Sequence, residues 1–190
     1  MTNNGHRRVA IFSRLLALFS PGRLIDLGAG HGKFSMVAAK AGWEVMAVDA
    51  RTERNTAAPG VTWVEGDVRD VDLEGYDLVA CLGLFYHLTA EDQLDLLARC
   101  KGVPLIIDTH LANGLSTHPL GEEVELQGYT GRVYHEGTGL LSSWGNQQSF
   151  WPTPESFHQM LDQAGYNFVL AVEPWYLPDR TFFLALSKSS

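Results

Sequence analysis

Apolar and polar positions along the chain switch between two periods. Val9, Ile11, Phe12, Leu15, Leu16, Leu18 and Phe19 recur at helical spacing, and Ser20-Pro21-Gly22 stops the run. Arg23 to Leu27 then predicts a strand. Phe34, Val37, Ala38 and Ala41 mark one face of a helix that starts at Lys33 and ends at Gly42. Glu44 to Val48 predicts a second strand ending at Asp49, and Val61 to Glu65 a third ending at Gly66-Asp67. Tyr76 to Leu82 is nearly all apolar, as expected of a strand buried on both faces. Thr89-Ala90-Glu91-Asp92 reads as a capping box, and Leu94, Leu96 and Leu97 carry a helix that closes near Lys101-Gly102. Val103 to Ile107 is a fifth buried strand, ending at Asp108.

The pattern weakens after Asp108. Residues 109–150 are rich in Gly, Ser, Thr and His, and a stretch this long implies a lid, a binding loop or an insert with short strands of its own. Regularity returns at Thr153, a good N-cap, followed by Pro154 at the first helical position. Phe157, Met160, Leu161 and Ala164 form the stripe of a helix ending at Gly165. Phe168 to Val172 and Thr181 to Leu186 are the last two strands, and Glu173 to Arg180 is too short for a helical crossover, so they pair antiparallel. Strands alternating with helices predict an α/β protein: a Rossmann-like, doubly wound, mostly parallel seven-stranded sheet with an antiparallel last strand, in three αβα layers. One domain spanning 1–190, with an insert or lid at 109–150, accounts for the whole chain.

Composition narrows the partners. The chain carries a formal net charge of -8, and an acidic surface argues against nucleic acid as a partner. Its two cysteines, Cys81 and Cys100, form no C-x-x-C and read as reduced thiols. Arg14 interrupts the apolar N-terminal stretch, no run is long enough to span a bilayer, and the expected location is cytoplasmic.

The chemistry concentrates in Leu24-Ile25-Asp26-Leu27-Gly28-Ala29-Gly30-His31-Gly32, an apolar strand running into alternating glycines before a helix. Glycine permits the positive φ of such a turn and lets a ligand approach bare backbone. The spacing is D-x-G-x-G-x-G. The dinucleotide fingerprint needs a glycine at position 33, where this chain has Lys33, so the pattern points away from NAD and towards another adenosyl cofactor.

These features together resemble the class I S-adenosylmethionine-dependent methyltransferases of small molecules. The strand exit from Asp77-Leu78-Val79 to His87-Leu88 and the segment from Thr153-Pro154-Glu155 to Ala164-Gly165-Tyr166 resemble stretches common in that family. The resemblance implies S-adenosyl-L-methionine as cofactor and S-adenosyl-L-homocysteine as product. It implies that Gly28, Ala29 and Gly30 hold its methionine part, with Asp26 either ordering the turn through backbone N–H groups or contacting the cofactor's amino group, that Asp49 beside Ala50 takes the ribose hydroxyls, and that Asp67 with Val68 meets the adenine. Leu82 ends the strand beside them. Carboxylates at strand ends also favour a sulfonium cation over a pyrophosphate.

The acceptor side follows the fourth strand. His87 is the candidate catalytic base, and Tyr86 a candidate contact for a small-molecule substrate. His110, His118 and His135 with Glu122, Glu123 and Glu136 lack a tight metal-ligand spacing, so no metal is expected. Trp144, Phe150, Trp151 and Tyr134 either anchor the 109–150 segment or wall the acceptor. The exit Leu82-Gly83-Leu84-Phe85 is not an Asn/Asp-Pro-Pro-Tyr segment, and no Pro-Cys nucleophile occurs, which leaves a small-molecule acceptor with oxygen slightly favoured over nitrogen or carbon. A tRNA-modifying methyltransferase and a cofactor-binding regulatory module that methylates nothing are the alternatives. Oligomeric state is not readable.

Overall fold

A computed structural model describes residues 3–51, 53, 55–139, 142–178 and 180–187, so the ends of the expected span 1–190 lie outside the described residues. Chain order is α1 (Asn3–Leu16), β1 (Arg23–Leu27), α2 (Lys33–Lys40), β2 (Glu44–Asp49), β3 (Val61–Glu65) and β4 (Leu78–Leu82). A single 3-10 turn (Phe85–His87), α3 (Ala90–Arg99) and β5 (Leu105–His110) follow. Then come β6 (Glu123–Leu126), β7 (Tyr129–His135), β8 (Gln148–Pro152), α4 (Pro154–Gln163), β9 (Tyr166–Val172) and β10 (Arg180–Ser187).

Seven strands form one sheet in the order β3-β2-β1-β4-β5-β10-β9. β1 to β5 are parallel, and β10 runs antiparallel to both β5 and β9. Alternate residues of each central strand serve opposite faces. Leu24 of β1 and Leu78, Ala80 and Leu82 of β4 pack with Phe12 and Leu16 of α1 and Phe34 and Ala38 of α2. Ile25, Leu27, Val79 and Cys81 pack with Leu96 and Leu97 of α3 and Phe157 and Met160 of α4. This is the Rossmann-like, three-layer arrangement that the alternation of strands and helices predicts. The order reverses between β1 and β4, and the carboxyl ends of those strands open the crevice where such sheets bind ligands.

Several boundaries differ from the pattern. β4 starts at Leu78, because Asp77 turns aside to accept the Arg23 amide at 2.7 Å. β5 runs on to His110, because β10 pairs with it in the register Arg180↔His110, Thr181↔Thr109, Phe182↔Asp108. α1 begins at Asn3, ahead of its apolar stripe, and ends before Phe19. The 109–150 stretch contains β6 and β7, and with β8 they form a separate antiparallel sheet in the order β6-β7-β8. Thr89 and Thr153 cap α3 and α4 as expected, accepting from the amides of Asp92 and Ser156, each cap contributing about 1 kcal/mol. No helix among the described residues is long and apolar enough to cross a membrane.

Candidate functional site

The β1–α2 turn bends through three left-handed glycines: Gly28 at φ 67°, Gly30 at 58° and Gly32 at 67°. Space is as demanding as conformation. A Cβ on Gly28 would lie 3.0 Å from the Leu84 side chain, and one on Gly32 would lie 2.6 Å from the Trp63 ring. Gly28 and Gly30 line a cavity of about 350 Å³ at the strand ends, whereas Gly32 packs against the β3 edge and caps α2. Asp49, at the end of β2, accepts from Gly30 N at 2.8 Å and from Arg51 N at 2.9 Å. It therefore tethers the glycine turn to β2 while facing the same cavity.

Ala29, Ala50, Asp67, Val68, Leu82, Tyr86 and His87 line this cavity too. The sequence therefore identifies ten of its walls from short motifs. Asp26 does not reach it. That side chain lies under the glycine turn, almost wholly buried, and accepts from Ser35 Oγ at 2.5 Å. Burial raises its pKa to about 7, against the opposing hydrogen bond from Ser35. Asp67 is gripped by Arg69, whose amide and Nε donate to it at 3.0 and 2.9 Å; the guanidinium holds the carboxyl below its usual range.

The opposite half of the cavity is built by the exit from β4. Its carbonyls are taken up by groups distant in sequence. Gln93 Nε2 donates to Phe85 O at 3.0 Å, Trp151 Nε1 to Tyr86 O at 3.0 Å, and Phe150 N to Leu88 O at 2.9 Å. The His87 carbonyl accepts from Ser143 Oγ at 2.8 Å and from Asn146 Nδ2 at 3.1 Å. The second sheet and the 142–146 segment therefore fix where His87 stands. Phe150 and Trp151 are buried anchors, and Tyr134 stacks on Trp151. Trp144 instead lines the cavity, half exposed.

His87 Nδ1 lies 2.9 Å from Glu136 Oε1. Glu136 also accepts from Ser143 N at 3.0 Å and Ser149 Oγ at 2.8 Å. Burial pushes its pKa up, but these donors outweigh burial and hold it below the usual range. An ionised carboxylate only accepts, so Nδ1 of the imidazole carries the proton of this bond. Asp108, within β5 and fully buried, meets two guanidiniums. Arg8 Nε donates to it at 2.5 Å and Arg180 Nη1 at 3.1 Å. Arg180 Nη2 also donates to the Tyr86 hydroxyl at 2.9 Å. Burial disfavours the Arg180 charge, yet Asp108 outweighs it and the guanidinium's pKa is raised.

Glu136, Arg8, Arg51 and Arg180 escape a reading by motif. Arg51 alone carries a local signal, two residues past the acid that ends β2. Arg8 lies on α1 outside any motif, Arg180 reaches the cavity through the pairing of β10 with β5, and Glu136 reaches His87 from just past β7, which pairs with β8. His110 and His118 pack round Trp151. No group of three or more His, Cys, Asp or Glu among the described residues is placed to hold a metal ion.

The family model described as "Methyltransferase domain" matches residues 4–171. Among solved structures, the N-terminal domain of EvdMO1 in the presence of SAH and D-fucose is similar at TM-score 0.73 and 19% identity, over 100% of this chain and 84% of that one. A Burkholderia thailandensis 1,6-didemethyltoxoflavin-N1-methyltransferase with bound 1,6-didemethyltoxoflavin and S-adenosylhomocysteine is similar at TM-score 0.65 and 17% identity, over 95% and 79%. The glycopeptide N-methyltransferase MtfA complexed with SAH is similar at TM-score 0.65 and 17% identity, over 94% and 86%. No curated protein matches the sequence.

Proposed function

The chain belongs to the methyltransferase domain family, and on that premise we propose that it transfers a methyl group from S-adenosylmethionine to a hydroxyl oxygen of a small molecule. The observation that carries the choice of oxygen is His87 on the cavity wall, its Nδ1 2.9 Å from the Glu136 carboxylate. S-adenosylmethionine supplies a methyl group made electrophilic by its sulfonium. The glycine turn fits this cofactor, because Gly28 and Gly30 take a left-handed backbone and present it bare to the cavity beside Asp49. In this reading Gly28, Ala29 and Gly30 hold its amino-acid end, Asp49 accepts from the ribose hydroxyls, and Asp67 and Val68 border the adenine.

A hydroxyl is a poor nucleophile until its proton has somewhere to go. His87 takes that proton at Nε2, and the buried Glu136 carboxylate holds the ring in the required tautomer and stabilises the imidazolium that forms. The second sheet and the 142–144 segment act as the lid: Ser142, Ser143 and Trp144 line the cavity and limit its water.

The test is a metabolite extract incubated with methyl-labelled cofactor. The proposal expects a labelled ether from the natural protein, and expects His87→Ala to cut its rate about a hundredfold or more with S-adenosylhomocysteine affinity unchanged. An N-methylated product, or equal rates in the two proteins, would contradict it.

A further inference from the structure

We propose that Arg8, Arg180 and Tyr86 form a subsite for a carboxylate carried by the methyl acceptor, which makes the substrate an acidic hydroxy compound; this rests on the function proposed above. The argument begins with an imbalance. Two guanidiniums converge on one fully buried carboxylate, Asp108, so the trio has one positive charge in excess. Both arginines line the cavity, with about a fifth of the Arg8 side chain and an eighth of the Arg180 side chain exposed, 22% and 13%. A surplus cation in a recess of low dielectric is stabilised by an anion brought in from outside.

The donor geometry matches that need. Asp108 takes Arg8 Nε and Nη2 and Arg180 Nη1, and Leu82 O takes Arg8 Nη2 as well at 3.2 Å; each guanidinium carries five N–H groups, so Arg8 Nη1 and Arg180 Nε still have protons to donate. The Tyr86 hydroxyl accepts from Arg180 Nη2, which leaves its own proton to donate. Three donors of this kind suit a flat carboxylate. Tyr86 and His87 are neighbours with ring centroids 4.3 Å apart, so an acceptor anchored here presents its hydroxyl beside the base.

Place in the sheet separates Arg180 from the expected cofactor groups, while Arg8 comes from α1 and lies over the Phe34 ring of α2. Arg180 opens β10, opposite His110 of β5, whereas Gly28 to Gly30 and Asp49 follow β1 and β2 on the other side of β4. The cavity as a whole leans the same way. Among its described lining residues Lys33, Arg51 and Arg69 join the two arginines, against the carboxylates Asp49 and Asp67, in a chain of net charge -8.

A carboxylate could reach this subsite from the acceptor or from the amino-acid end of the cofactor, and two measurements distinguish them. Labelled products from the metabolite extract are passed over an anion exchanger at neutral pH. Retained product is expected; label found only in the unretained fraction overturns the proposal. S-adenosylhomocysteine is titrated calorimetrically into the natural protein, Arg180→Gln and Arg180→Lys. Affinity within about twofold is expected in all three, while labelling of the retained product falls about tenfold in Arg180→Gln and less in Arg180→Lys. A tenfold loss of S-adenosylhomocysteine affinity in both variants assigns the arginine to the cofactor and overturns the proposal. If Arg180→Gln melts below the assay temperature, Arg180→Lys decides alone: labelling equal to the natural protein overturns it. No labelled product of any kind from the natural protein contradicts the proposed methyl transfer itself.

Discussion

At the scale of single residues, the site depends on carboxylates that do different work because their surroundings differ. Asp49 is held by two backbone amides at a strand end, where ligand hydroxyls can join them. Asp49→Ala is expected to weaken S-adenosylhomocysteine about tenfold or more in a calorimetric titration, the effect of losing charge-assisted hydrogen bonds. Glu136 works through His87. Glu136→Gln keeps the shape but not the charge, and is expected to lower kcat about tenfold with S-adenosylhomocysteine affinity retained; a loss confined to affinity would contradict the pairing. Asp26 is the outlier. The folded protein keeps its proton up to about pH 7, whereas the unfolded chain releases it near the ordinary aspartate value of 3.8. Stability from this group is therefore greatest at acid pH, falls as pH rises through that window, and levels off above it. Denaturant titrations between those pH values should show a shallower fall in Asp26→Asn than in the natural protein.

At the scale of elements, legibility tracks how local the cause is. A glycine turn between a strand and a helix is written in nine consecutive residues, so Gly28, Gly30 and the acid ending β2 are visible in the sequence. Glu136 is not, because the bond to His87 spans 49 positions and depends on β7 and β8 pairing first. The sheet that carries it is hidden for a second reason. β6 is four residues long and mostly exposed, and β7 mixes buried, half-buried and exposed positions, so their apolar alternation is faint. The 142–144 segment of the cavity wall is tied to the end of β2 by Arg51, whose guanidinium donates to Ser142 O at 2.9 Å and Ser143 O at 3.2 Å and lies over the Trp144 ring. Arg51→Ala removes these ties. Amide hydrogen exchange at 142–146 is expected to quicken while the central strands stay protected; unchanged exchange there would mean the ties to His87 suffice alone.

At the scale of the whole molecule, the sheet order decides what meets what. The reversal between β1 and β4 puts the glycine turn and Asp49 on one side of the crevice and Tyr86 and His87 on the other. An in-line methyl displacement needs that division, with the sulfonium on one side and the nucleophile with its base on the other. The alternation of apolar runs was enough to predict the seven strands and their mostly parallel order. It could not predict that β5 runs on to His110, because the cause is the antiparallel partner β10, some seventy residues later. That same pairing brings Arg180 to the cavity.

The central claim is that this crevice binds a sulfonium cofactor and not a dinucleotide, and calorimetric titration of the purified protein tests it most directly. The account predicts saturable binding of S-adenosylhomocysteine that is lost or greatly weakened in Asp49→Ala, with no heat from NADH. Tight NADH binding with no response to S-adenosylhomocysteine would contradict it.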